Sequence, residues 1–351
     1  MNYGLPYQGS KNRIARRLVD ALPAAPVLYD VFCGGCAVTH AAMLSGKYQR
    51  FVINDRRGWL PDAFRKAIHG GYAHEGRWIS REDFKRLKDT DAYATLCFSF
   101  GNNTRTYMYA RPLERYKRAL HYAIFWRDFA PWAALCPETA DALASGLAPI
   151  EDRKQRRIQA GHFIVESLKA QLAAGTLTPD ILQKPIYRQI RRSKGAMTTV
   201  ETLQSLESLE RLQSLQSLES LESLERLERL QSLQSLESLE SLERLQSLPG
   251  ALTAYSGDYR ELCFDEPGII YCDPPYKDKD TTGYREDYAE PFCHDEFYSW
   301  CEAQKLPVYI SEYQMPEERF ACIAEWDKVT TMAAKTTSHV TERLWRPRTQ
   351  L

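Results

Sequence analysis

Asp273-Pro274-Pro275-Tyr276 is the part of this 351-residue chain whose residue types and spacing most directly suggest chemistry. The run before it, Gly268-Ile-Ile-Tyr-Cys272, is apolar and reads as a buried strand bounded upstream by Glu266-Pro267. The two prolines end the ladder and stiffen the backbone at the strand's carboxyl end, which is where open α/β sheets place their ligands. A carboxylate, a prolyl carbonyl with no following N–H to mask it, and an aromatic face then converge on one point. Such a point accepts two hydrogen bonds from an exocyclic amine and stacks the ring that carries it. The plainer alternative is a strand that ends in a rigid Pro-Pro turn.

The elements needed to position these groups start near the amino terminus. Val27-Leu-Tyr-Asp-Val-Phe32 is a short apolar strand, Cys33-Gly-Gly-Cys36 a tight turn, and Ala37–Leu44 has helical character. A strand, a glycine turn and a helix bring backbone N–H groups close to a ligand. No GxGxxG fingerprint is present, so a nicotinamide dinucleotide is not indicated. The next strand, Phe51–Asp55, ends on a carboxylate placed to accept hydrogen bonds from ribose hydroxyls.

Taken in order, these motifs resemble the class-alpha, Dam-type DNA adenine-N6 methyltransferases, of the phage or prophage kind. Tyr7-Gln-Gly9-Ser-Lys11 is similar to the family's YxGGK element, with Ser10 at the second glycine. Asp30-Val-Phe32-Cys-Gly34-Gly35 resembles the DxFxGxG methionine-binding loop, with Cys36 at the last glycine. Asp55 resembles the ribose-binding acid, Gly257-Asp258-Tyr259 the element that contacts adenine, and Asp273–Tyr276 the catalytic tetrapeptide. Val308–Tyr313 and Val340–Trp345 resemble late core strands.

The resemblance implies an α/β, Rossmann-like core that uses S-adenosyl-L-methionine, formed by residues 1–60 and 250–351. A partly helical target-recognition insertion would occupy 61–200 and a leucine-triplet insert 201–250. It further implies base flipping, with Asp273 and the Pro274 carbonyl accepting from the adenine amino group and Tyr276 stacking on the base. No metal is required. No covalent cysteine is required either, because Cys136-Pro137 is the reverse of the Pro-Cys pair used in cytosine-C5 chemistry. The Asp-first tetrapeptide resembles adenine-N6 enzymes; cytosine-N4 methylation, RNA or protein amino-methylation, and a catalytically weak DNA-binding relative are the alternatives.

Double-stranded DNA is the expected partner. Asn102, Asn103, Arg105 and Tyr107 are candidate contacts, since Asn and Arg can read base edges in bidentate fashion. Arg188, Arg191, Arg192 and Lys194 form a candidate phosphate clamp. Tyr109, Arg111, Arg115, Tyr116, Lys117, Arg118, Tyr122, Trp126 and Arg127 interleave rings and cations, as either a nucleic-acid surface or an aromatic core with a basic face would require. The formal net charge of zero conceals a block of +6 over 151–200 (ten Lys/Arg, four Asp/Glu) and one of −6 over 201–250 (ten Glu, four Arg). Neutrality therefore does not exclude DNA.

Leucine recurs at every third position from Leu203 to Leu248, and Ser214–Leu227 is repeated identically at 232–245, a period of 18. Composition favours helix, but a three-residue step turns an α-helix through about 300° and spreads the leucines around it. A 3₁₀-helix would align them, although long runs are uncommon. A leucine-cored solenoid with 18-residue coils accommodates both periods and is the expectation, followed by a long helix and then disorder. The insert is either a spacer, a surface for a protein partner or self-association, or a neutral product of repeat expansion. Nine scattered cysteines, no 18-residue apolar run and no basic-apolar leader lead to the expectation of a reduced, cytoplasmic, metal-free chain without a membrane span.

Overall fold

The computed structural model describes residues 2–7, 9–173, 231–248, 250–276, 292–332 and 336–351. Seven strands form one sheet in the order β3-β2-β1-β4-β5-β7-β6. They are β1 (Val27–Asp30), β2 (Arg50–Asp55), β3 (Ala251–Ser256), β4 (Gly268–Cys272), β5 (Val308–Glu312), β6 (Phe320–Met332) and β7 (Thr336–Pro347). The first five are parallel, whereas β7 runs antiparallel to both β5 and β6.

Strand order reverses between β1 and β4, where Asp30 lies in register with Tyr271. Alternation along the strands sends Leu28, Phe51, Ile53, Ile269 and Tyr271 to one core and Val27, Tyr29, Val52, Ile270 and Cys272 to the other. Both faces are therefore covered, as a parallel sheet requires. The first face is covered by α1 (Ala15–Ala21), α2 (Ala37–Ser45), α3 (Trp59–Ile68) and, after α4 (Arg81–Leu87), α5 (Ala92–Phe98).

A helical layer follows, with α6 (Arg111–Trp126), α7 (Ala130–Leu135), α8 (Pro137–Leu147) and α9 (Arg153–Ala173) around a core of Leu120, Ile124, Trp132, Leu143 and Leu147. The last described helix, α11 (His294–Ala303), packs on the second sheet face through Phe297, Tyr298 and Cys301. None of the described helices is long and apolar enough to cross a membrane.

The end of the leucine repeat departs from the expected solenoid. Residues Gln231–Glu240 form α10, and Ser241–Ser247 continue as a 3₁₀-helix. Leu233, Leu236 and Leu239 drift by about 60° per triplet on an α-helix, an arc of about 120° that one apolar stripe can hold. A third α-helical step would carry the next leucine out of that stripe. The change to three residues per turn stops the drift, so Leu242 and Leu245 stay aligned, and all five leucines are buried. Four of them enter the first sheet core and Leu233 the helical core. The rest of the triplet run, 203–230, lies outside the described residues.

Candidate active site

The switch point between β1 and β4 opens into a cavity built from three chain segments. Its floor is the turn after β1, held by hydrogen bonds from Val31 N to Tyr271 O (3.0 Å), Cys33 N to Asn54 O (2.8 Å) and Cys36 N to Cys33 O (2.6 Å). Cys36, at the position the resemblance gives to glycine, adopts a left-handed φ of 56° and begins α2. A non-glycine residue there carries local strain that the surrounding bonds must hold.

The amino-terminal segment lies against this turn. Leu5 N donates to Gly35 O (2.7 Å) and Gly4 N donates to His40 Nδ1 (2.9 Å). A Cβ on Gly4, whose φ is +71°, would lie 2.2 Å from Gly35 O, so only glycine permits this approach.

Tyr7, Gly9, Lys11, Asp30, Phe32, Gly34, Gly35 and Asp55 all line the cavity, together with Asp273, Pro274, Pro275 and Tyr276. Asp55 braces the turn, with Oδ2 accepting from Gly34 N (2.9 Å) and Oδ1 from Arg57 N (2.9 Å). A carboxylate has about four acceptor positions, so this bracing leaves capacity for ligand hydroxyls. Burial raises the Asp55 pKa, and the two backbone N–H groups oppose the shift.

Asp30 is fully buried, and Thr39 Oγ1 donates to its Oδ2 (2.6 Å). Its Oδ1 has no hydrogen-bond partner among the described residues. Burial pushes its pKa up to about 7; the Thr39 hydroxyl opposes the shift, and Asp273 and Asp55 add to it. A buried carboxylate oxygen in a ligand cavity is a receptor for a cation or strong donor.

At the end of β4, Lys11 Nζ donates to both oxygens of Asp273, at 2.6 and 2.7 Å. The same ammonium lies 4.7 Å from the centre of the Tyr276 ring and 3.6 Å from Glu342 Oε1. Tyr276 is buried, its hydroxyl donates to Glu342, and Tyr313 meets its ring edge-on at 4.5 Å. Burial opposes charge on Lys11, but Asp273 and Glu342 outweigh it and hold the pKa above its ordinary value. Chemically, the ammonium stands in for an amino group held by a carboxylate above an aromatic face. The His294 ring lies 2.9 Å from Pro275 O and fixes the tetrapeptide's far end.

Asp258 and Tyr259 line an adjoining cleft that shares Phe32 and Asp55 with the cavity. Asp258 caps the turn Tyr259–Glu261 and is bound by Arg260, whose hydrogen bonds hold its carboxyl below the usual range. The Tyr259 ring is buried against Phe32, Phe297 and Trp300.

The residues expected to touch DNA are arranged differently. Tyr107 is buried, with its hydroxyl donating to Ile79 O (2.9 Å), so it is a core residue and not an exposed contact. Asn102 Nδ2 donates to Leu96 O and Ser235 Oγ, and Asn103 Oδ1 accepts from Arg105 N and Thr106 N. These side chains hold a tight loop in which Gly101, Asn102 and Thr104 all have positive φ. Arg105 is half-buried beside them. Tyr109, Tyr116 and Lys117 are also buried, whereas Arg111, Arg115, Arg118, Trp126 and Arg127 are exposed, so the interleaved rings and cations divide between a core and a basic face. In the basic block, Arg153 pairs with Glu240 and Arg157 with Glu237, so acidic residues of the repeat cover part of it. Arg188, Arg191, Arg192 and Lys194 lie outside the described residues.

Sequence reasoning assigned no role to Arg57, Thr39 or Glu342. Arg57 Nη1 donates to Tyr7 Oη (2.6 Å) across the cavity. Thr39 lies one turn beyond Cys36 on the helix that faces Asp30. Glu342 shares strand parity with the buried Leu344, and this inward position was its one readable signal.

A seven-stranded mixed sheet with a cavity at its switch point is consistent with a methyltransferase fold. Residues 7–133 match the family model of the D12 class N6 adenine-specific DNA methyltransferases, consistent with an adenine-N6 methyltransferase. The matched stretch includes Lys11, the Asp30–Gly35 turn and Asp55, and ends before Asp273. No curated protein matches the chain.

Proposed function

We propose that this protein transfers a methyl group from S-adenosyl-L-methionine to the N6 amino group of adenine in duplex DNA. The observation that carries this reading is the Lys11 ammonium, held by both Asp273 oxygens above the Tyr276 ring. The match to the adenine-specific family supplies the base and the polymer.

The acceptors that line the cavity suit the cofactor. Asp30 Oδ1, without a hydrogen-bond partner among the described residues, fits the ligand's ammonium, Asp55 fits the ribose hydroxyls, and the cleft at Phe32, Asp258 and Tyr259 fits the adenine end. When bound, S-adenosyl-L-methionine supplies a methyl group already activated on a sulfonium.

The residues of the chain then bind and orient. Asp273, with the Pro274 carbonyl beside it, accepts hydrogen bonds from the target amine and keeps its lone pair directed away from the ring. Tyr276 presents a face to the extruded base, a contact worth about 1–3 kcal/mol in comparable sites. Most of the remaining rate enhancement comes from alignment.

Expression in a host that lacks adenine methylation tests this reading. N6-methyladenine in the host DNA is the expected product. N4-methylcytosine in its place would correct the base, and unmodified DNA would overturn the proposal.

A further inference from the structure

In the structure the site that must receive the target amine is already filled by Lys11. Both oxygens of Asp273 and the face of Tyr276 are engaged by its ammonium. An entering base needs those oxygens and that face, so Lys11 has to leave. A buried ammonium stripped of its carboxylate is strongly disfavoured, and the protein must offer it a second one.

We propose that Glu342 is that second seat: as the base enters, Lys11 moves from Asp273 to Glu342, which makes Glu342 a positioning residue for base capture. Three observations support the assignment, which rests on the proposed function above. Glu342 is fully buried, and its Oε1 already lies 3.6 Å from Lys11 Nζ, so the transfer is short. It also accepts the Tyr276 hydroxyl, so the ammonium's new seat and the ring that meets the base are tied to one carboxylate. Finally, β7, which carries Glu342, pairs directly with β5, next to β4, the strand that leads into Asp273.

The distinguishing variant is Glu342→Gln. Glutamine still accepts the Tyr276 hydroxyl but no longer offers a charge to Lys11. Methyl transfer to unmethylated bacterial DNA is measured at varied DNA concentration, alongside cofactor affinity. The expected result is a KM for DNA raised about tenfold, as when the competent state becomes rare, with cofactor affinity within about twofold of wild type. Adding Lys11→Met to Glu342→Gln removes the trapped ammonium and should lower that KM again.

If Glu342 only steadied Tyr276, Glu342→Gln would keep the wild-type KM, and that result overturns the inference. A double variant no better than Glu342→Gln overturns it too. Should the wild-type protein transfer no methyl group to any DNA, the proposed function itself fails, which is a different result from either of these.

Discussion

Asp30 makes the cofactor site sensitive to pH in a direction that can be worked out. Its folded pKa is about 7 against an ordinary 3.8, because burial outweighs the Thr39 hydroxyl and because Asp273 and Asp55 face it with like charge. A raised carboxyl pKa means that the folded, unliganded protein holds the proton more tightly than the unfolded chain. Its contribution to stability is therefore fully present below pH 4 and is lost as pH rises through 7.

Binding a cationic ligand has the opposite dependence, since the ligand needs the carboxylate. About nine-tenths of Asp30 is ionised at pH 8 and about one-tenth at pH 6, while the ligand's own α-ammonium is about half lost at pH 8, so affinity for S-adenosyl-L-methionine should fall about fourfold from pH 8 to pH 6. Asp30→Asn keeps an acceptor for Thr39 and removes the charge. It should flatten this dependence and weaken binding at pH 8 by about 10- to 100-fold, the loss expected for one charge-assisted hydrogen bond. Calorimetric titration at the two pH values measures both effects. A wild-type affinity equal at pH 6 and pH 8, or an asparagine variant that keeps the wild-type dependence, would refute the role given to Asp30.

Two further substitutions probe the scaffold. Leu236→Ala, in the repeat helix α10, removes a fully buried side chain and should cost about 2–5 kcal/mol of stability in a denaturant melt; an unchanged midpoint would show that the repeat does not belong to the core. Gly4→Ala places a Cβ 2.2 Å from Gly35 O at a φ of +71°. It should cost about 1–3 kcal/mol and weaken cofactor binding more than Gly46→Ala, where φ is also positive but nothing lies within 4 Å.

What could be read from the sequence was what is local. The strands ending at Asp30, Asp55 and Cys272 lie close to where apolar runs and turn residues put them, because a parallel strand buried on both faces is a continuous apolar run. Asp30, Gly34, Gly35, Asp55 and Asp273 were readable because each sits at the carboxyl end of a strand or in a glycine turn, whereas Tyr7 and Lys11 were named only through the resemblance. Tyr107, Asn102 and Asn103 could not be assigned in this way. A tyrosine or an asparagine suits a loop that braces itself as well as it suits a base edge, and only tertiary partners such as Ile79 and Ser235 decide between them.

The repeat posed the hardest case. The fourteen residues at 232–245 are identical to those at 214–227, so nothing local marks the copy that packs beneath α5. Its conformation follows from the core it fills, with the helix changing pitch where the leucines would otherwise turn away. Glu342 was hidden for a related reason: a single glutamate in a strand gains meaning only beside Lys11 and Tyr276, which are more than 60 residues away in sequence.

Methyl transfer to adenine is tested by following labelled methyl from S-adenosyl-L-methionine to unmethylated duplex DNA with wild type and Asp273→Ala, the nucleosides being resolved afterwards. Label in N6-methyladenine is expected for the wild type and its loss in the variant, with cofactor affinity retained in both. Equal transfer by the two proteins, or a wild type that binds the cofactor and labels no DNA, would contradict it.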